Sequence, residues 1–180
     1  MRKRIFGRMV YLPLDRYKAT RRIEIRILKR YLDVLPADVL CDIGCGTGYW
    51  TEDISGPAYT VGVDILKRDL AIAVAEHRGR HAGFAMANAE RLPFHDGAFT
   101  KIFGVCTMEH IPDNHAAFNE FNRCLEPGGI LALTVDSLNY WAITEARKQE
   151  HAKRYHVAHL YDRETIAAFL DQHGFDVTDT

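Results

Sequence analysis

Two clusters of residues in this sequence have types and spacings that suit chemistry. The first is the run Asp42-Ile43-Gly44-Cys45-Gly46-Thr47-Gly48. Its alternate glycines let the main chain turn sharply and let a ligand come close to the backbone. The run follows a short apolar stretch, Val39–Asp42, and opens a helix, where amide groups suit a carboxylate or phosphate. Asp64 lies 22 residues past Asp42, at the end of the strand-like run Tyr59–Asp64. An acid at that place accepts from both hydroxyls of a ribose. The spacing therefore implies a nucleoside-containing cofactor. Asp42 would repel a pyrophosphate and suits a cationic ligand such as an α-amino group. A dinucleotide fingerprint needs glycine where Tyr49 stands, which argues against a nicotinamide-dependent oxidoreductase.

The second cluster is Met108-Glu109-His110-Ile111, just past the strand-like run Lys101–Thr107. His110 there is a residue type that can take a proton from a hydroxyl or an enol. Further on, Asp136–Leu160 mixes Asn139, Tyr140, Trp141, Tyr155, His156 and His159 with Lys153 and Arg154, a composition that suits a lid over an anionic or aromatic substrate. His156 and His159 stand at i, i+3 and would share a helical face, but no third ligand at metal spacing accompanies them, so no metal is expected.

The elements that must position these groups alternate. Asp15–Leu35 reads as a helix with Ile25, Leu28, Leu32 and Leu35 on one stripe, ended by Pro36. Leu66–His77 carries Leu66, Leu70, Ala73 and Val74 at helical spacing. Asp113 can cap a helix that buries Ala117, Phe121, Cys124 and Leu125. Asp162 can cap another, which buries Ile166, Phe169 and Leu170 and stops at Gly174. Between them lie strands at Gly83–Ala87, Ile130–Val135 and Phe175–Thr178, with Pro127-Gly128-Gly129 as a turn. Strands alternating with helices predict a doubly wound, mostly parallel α/β sheet with flanking helices, whose ligands bind beyond the carboxyl ends of the strands.

At these residues the sequence resembles the class I S-adenosylmethionine-dependent methyltransferases, most of all the branch acting on small molecules and lipids, which also has RNA-modifying members. The resemblance runs in order through residues 37–180 and rests on VLCDIGCGTGYW, VGVDIL, NAERLPFHDGAFTKIFGVCTMEHIPD and LEPGGILALTV. It implies a Rossmann-like fold and S-adenosylmethionine as cofactor. Asp42, Gly44, Cys45, Gly46 and Gly48 would surround the methionine portion. Asp64 would hold the ribose, Ile65 would pack on adenine, and Asn88 and Ala89 would meet the adenine edge. Cys106 and Thr107 would line the sulfonium end, with His110 near the transferred methyl as the candidate base. Tyr11 and Tyr17 would either close over the site or serve as packing residues. The chain departs from the family at Asn88, where Asp is frequent, and at Thr100, which replaces an acid and is expected at the surface. The family's sheet usually ends in an antiparallel hairpin, which this chain leaves incomplete, so a seventh strand is expected to be missing or supplied by a partner. Phe94 and Phe99 read as core.

Charge and composition narrow the partners. The 180 residues carry a net charge of −1, with 47% hydrophobic and 26% charged residues, a globular composition. Residues 1–30 hold a balance of +9 and the remainder −10. Residues 1–36 thus read as a basic arm and helix ahead of a cofactor domain at 37–180. The arm leaves RNA open as a partner. No run is long and apolar enough to span a membrane, nor does the start fit a signal peptide. Cys41, Cys45, Cys106 and Cys124 form no paired spacing, which fits a reducing cytoplasm. The Asn/Asp-Pro-Pro-aromatic and Pro-Cys motifs of DNA-base methylation are absent from Val105–Ile111. The function expected is methyl transfer to a small organic or lipid-like acceptor. An RNA-directed enzyme and a non-catalytic cofactor-binding scaffold stay open beside it. Association through an open sheet edge is expected.

Overall fold

The computed structural model describes residues 3–6, 17–56, 58–77, 81–135 and 144–178. The chain order is β1 (Lys3–Phe6), α1 (Tyr17–Leu32), β2 (Val39–Ile43), α2 (Tyr49–Ser55), β3 (Tyr59–Asp64), α3 (Lys67–Glu76), β4 (Ala82–Met86), β5 (Phe99–Val105), a single 3-10 turn at Met108–His110, α4 (Asn114–Cys124), β6 (Leu125–Thr134), α5 (Glu145–Tyr155), α6 (Arg163–Gln172) and β7 (Phe175–Thr178). The seven strands form one sheet in the order β4-β3-β2-β5-β6-β1-β7. Every strand pair is parallel.

The order reverses between β2 and β5, which places the glycine run and the end of β5 side by side. Ile43 stands opposite Val63 on one side and Gly104 on the other. This is the switch point where open α/β sheets hold ligands. Side chains alternate across the sheet, as the two-residue period requires. Cys41, Ile102 and Leu131 face α4 and α6, where Phe118, Phe121, Cys124 and Leu170 close the larger core. Leu40, Phe103 and Ala132 face α1 and α2, where Ile25, Leu28, Leu32 and Ile54 close the second.

α1 is shorter than its apolar stripe suggests. Asp33 takes a left-handed conformation at φ 42° and ends the helix one turn before Pro36. Leu35 thereby leaves the stripe and is exposed. In α3, Leu70 and Ala73 are buried, whereas Val74, and Leu66 just ahead of the helix, are exposed. α4 is capped as expected, with Asp113 Oδ1 accepting from the backbone N–H of Ala116 at 3.0 Å. Pro127–Gly129 is an excursion within β6 and not a turn ahead of it. The register passes from Phe99↔Leu125 directly to Lys101↔Ile130, so the extra residues of β6 loop out. Thr100 is not a surface residue. Its hydroxyl donates to Asp38 Oδ1 at 2.9 Å and accepts from the N–H of Val39 at 3.1 Å, tying β5 to the start of β2. Lys101 beside it is buried and paired with Asp38. Burial pushes the Asp38 carboxyl up, but Lys101, the Leu35 amide and Thr100 together hold it below its ordinary value.

The far end of the sheet departs from the expected pattern. β7 pairs along one side with β1, in register Lys3↔Phe175 to Phe6↔Thr178, and β1 in turn pairs with β6. The place of an antiparallel hairpin partner is thus taken by a parallel strand from the start of the chain. Lys3 adds a side-chain tie, donating to Asn122 Oδ1 of α4 at 3.0 Å. Tyr11, Asn139, Tyr140 and Trp141 lie outside the described residues, as does the side chain of Tyr17.

Candidate functional site

The three glycines of the loop all have positive φ, but only one of them faces open space. A Cβ on Gly44 would collide with the side chain of Thr107. A Cβ on Gly48 would stand 2.8 Å from His77 and 2.9 Å from Phe84. Those two glycines let β2 and α2 pack against β5, β4 and the end of α3. A Cβ on Gly46 would meet no atom within 4 Å. Gly46 is therefore the point at which a ligand can reach the backbone.

The loop's own amides are largely engaged. The N–H groups of Gly44 and Cys45 both donate to the Val63 carbonyl, at 2.8 and 3.0 Å, and that of Gly48 donates to Cys45. The N–H of Gly46 donates to Asp64 Oδ2 at 2.8 Å, and Asp64 Oδ1 accepts from the N–H of Leu66 at 2.8 Å. The Asp64 carboxylate is thus fixed at the end of β3 by two backbone donors, half-buried, with lone pairs left for further donors. Beside it Ile65 is 65% exposed, an apolar side chain in solvent at the rim of a polar loop. Met86 stands opposite Asp64 on β4 and is equally exposed. Sequence reading did not single out Met86; its place at the end of a strand pair was the signal for it.

Asp42 lies beneath the loop, at 2% exposure. Its Oδ2 accepts from the hydroxyl of Thr51, on α2, at 2.6 Å. Burial pushes the carboxyl up to about 7, with Thr51 pulling it down and the Asp64 charge pushing it further up. A cationic group above the loop would favour its ionised form. Thr51 was missed from the sequence because its role rests on one turn of α2 folding back over β2. Cys45 is buried, and burial also pushes its thiol well up, away from the reactive thiolate.

Across the switch point, Cys106 holds a left-handed conformation at φ 49°, unusual for a residue with a side chain. Thr134 at the end of β6 secures it, through its carbonyl at 3.0 Å and its hydroxyl at 3.1 Å from the Cys106 N–H. Thr107 follows and packs on Gly44. Asn88 is exposed, and its Oδ1 accepts from the N–H of Glu90 at 2.9 Å, closing a local turn. Ala89 packs on the core. The segment that follows is fastened to α4 by Arg123, whose guanidinium donates to the carbonyls of Leu92 and Phe94 and to Asp96 and Glu120. Phe94 and Phe99 meet edge to face at 4.9 Å within the core.

His110 is exposed on the 3-10 turn past β5, and Glu109 before it is fully buried. His156 and His159 do not share a helical face. His156 ends α5 in a left-handed conformation, and the His159 ring turns to the Pro112 carbonyl at 3.0 Å. Among the described residues no group of three or more His, Cys, Asp or Glu could hold a metal ion. Nor is any described helix long and apolar enough to cross a membrane.

Gly46, Asp64, Ile65, Asn88 and Cys106 thus lie along the carboxyl edge of β2, β3, β4 and β5, the edge at which open α/β sheets hold ligands. Residues 41–133, just over half of the chain, match the family model described as a methyltransferase domain. The chain belongs to the class I S-adenosylmethionine-dependent methyltransferases. The methyltransferase domain is 26% identical over 156 residues to phosphoethanolamine N-methyltransferase 2 of Caenorhabditis elegans, covering 84% of this chain and 35% of that one. It is 34% identical over 111 residues to a demethylmenaquinone methyltransferase of Lactococcus lactis, covering 58% of this chain and 44% of that one. The chain therefore spans less than half the length of these two relatives. Among solved structures it resembles phosphoethanolamine N-methyltransferase 2 of Haemonchus contortus in complex with S-adenosyl-L-methionine, with TM-score 0.75, 24% identity and coverage of 85% and 36%.

Proposed function

We propose that this domain transfers a methyl group from S-adenosylmethionine to a small organic acceptor. One observation carries the reading. Gly46 opens the loop to a ligand directly beside an Asp64 carboxylate whose orientation two backbone amides already fix. The named relatives, one acting on phosphoethanolamine and one on demethylmenaquinone, support a small-molecule acceptor.

The bound cofactor supplies an electrophilic methyl on a sulfonium. The chain's own residues bind, orient and shield. Asp64 accepts from the ribose hydroxyls. Ile65 covers one face of the adenine, and Asn88 and Ala89 meet its edge. Gly44, Cys45, Gly46 and Gly48 form the wall along the amino-acid tail, with the Asp42 charge beneath it. Cys106 lines the reacting end. His110 Nε2 takes the proton when the acceptor atom carries one, leaving the methyl on the acceptor in its place. In-line alignment and exclusion of water do the remaining work.

Calorimetric titration with S-adenosylhomocysteine tests the cofactor site. We expect micromolar binding that weakens on the order of 100-fold in Asp64→Ala, since two hydrogen bonds to a charged group are lost. Absence of binding by the folded wild-type domain overturns the reading. A labelled-methyl assay against phosphorylated amines, quinols and phenols then ranks acceptors.

A further inference from the structure

Sequence distance separates His110 from the residues that hold it. The chain leaving α5 returns as an extended segment, His156–Tyr161, and lies against the turn that carries His110. The Ala158 and His159 N–H groups both donate to the Glu109 carbonyl, at 2.6 and 3.1 Å. The His159 ring meets the Pro112 carbonyl at 3.0 Å through Nε2. Tyr161 is buried, and its hydroxyl donates to the Met108 carbonyl at 3.5 Å while accepting from Asn114 Nδ2 at 3.3 Å. The segment is thus fastened to Met108, Glu109, Pro112 and Asn114, on both sides of His110.

The contact to His110 itself decides its chemistry. Its Nδ1 lies 3.4 Å from the carbonyl oxygen of His156. A carbonyl only accepts, so this contact requires a hydrogen on Nδ1. The neutral ring then carries its lone pair on Nε2. His156 is able to present its carbonyl there because it holds the left-handed conformation, φ 54° and ψ 43°, that turns the chain out of α5.

We propose that His156–Tyr161 is a positioning strap. The His156 carbonyl fixes the Nδ1–H tautomer of His110, and His159 and Tyr161 are positioning residues that fasten the strap to the turn. The inference rests on the reading of His110 as the base. It goes beyond that reading by naming which ring nitrogen acts and what holds the ring. The His159 and Tyr161 ties run through side chains of the strap that a substitution can remove.

Nitrogen-15 spectra of histidine-labelled protein, with His110 assigned by its loss in His110→Gln, read the tautomer without any turnover. We expect His110 to be Nδ1–H in the wild-type domain. In His159→Ala and in Tyr161→Phe it should move toward a mixture of tautomers. S-adenosylhomocysteine affinity should stay within two-fold, and turnover at saturating substrates should fall about ten-fold, the scale of a small misplacement of a reacting group. His159→Gln, whose amide can donate to the Pro112 carbonyl, should restore most of both. An Nε2–H tautomer in the wild type, or a tautomer unmoved in both variants, overturns the proposal. If the tautomer behaves as expected but His110→Ala turns over at the wild-type rate, the base reading fails and the strap's hold on the ring stands. A merely structural strap would lower melting temperature without moving the His110 resonances.

Discussion

The half of the sheet from β2 to β4 and the half from β5 to β7 build their parts of the site by different means. In the first, each functional group is positioned by neighbours close in sequence or one strand away. The Gly46 amide meets Asp64 across one strand pair, and Asp64 meets Leu66 two residues on. In the second, the turn bearing His110 is fastened by groups 46 to 53 residues later in the chain. Backbone amides and glycines carry the first half, and side chains that pack from afar carry much of the second.

The largest expected effect separates two glycines within the first half. Gly44→Ala forces a side chain into Thr107 at φ 69° and should cost at least about 2 kcal/mol of stability together with cofactor binding. Gly46→Ala, at φ 52° with open space around it, should cost about 1 kcal/mol and lose affinity because the methyl occupies the ligand's place. Denaturant melts and calorimetry on the two variants check this; equal stability losses would mean that the loop is strained uniformly.

The next effect probes the tie between the halves. Arg123 of α4 holds the segment after Asn88 through Leu92, Phe94 and Asp96. Arg123→Ala should weaken S-adenosylhomocysteine binding about ten-fold, with one or more buried carbonyls left unpaired. A variant that binds normally would show that the segment after Asn88 keeps its place without α4.

A further effect is a pH dependence confined to the first half. Folding raises the Asp42 pKa to about 7, so its contribution to stability is present in full below the ordinary carboxylate range and is lost as pH rises through about 7. Asp42→Asn should flatten this part of the profile and raise the melting temperature of the ligand-free domain at about pH 8. A cationic α-amino group reverses the preference, so cofactor affinity should rise with pH toward 7, by at most ten-fold per unit, and the variant should lose that rise. Melting curves and titrations across the range check both signs.

Much of the first half was legible in the sequence. The acid–glycine run, the acid at the end of β3 and the strand–loop–helix order are local signals, because a backbone that must turn at positive φ leaves glycines behind. The helix from Asn114 was legible through its cap and its buried stripe. The individual tasks of the glycines were not, since Thr107, His77 and Phe84 approach from other elements. Thr51 beneath the loop and Thr134 behind Cys106 were equally silent, being ordinary polar residues until folding brings them to a partner. The exposed Leu35 shows that periodicity overruns a helix when one left-handed residue stops it early.

The sequence by itself determined the fold class, through alternating apolar runs and helix stripes, and the family, through motifs that lie in order along the chain, because these are local properties of a chain. Only the tertiary structure decided that β1 takes the slot between β6 and β7, that Asp42 is buried under the loop, and that the His156 carbonyl comes to lie beside the His110 ring. Each of these depends on a partner brought from far along the chain, and no residue type announces such a partner in advance.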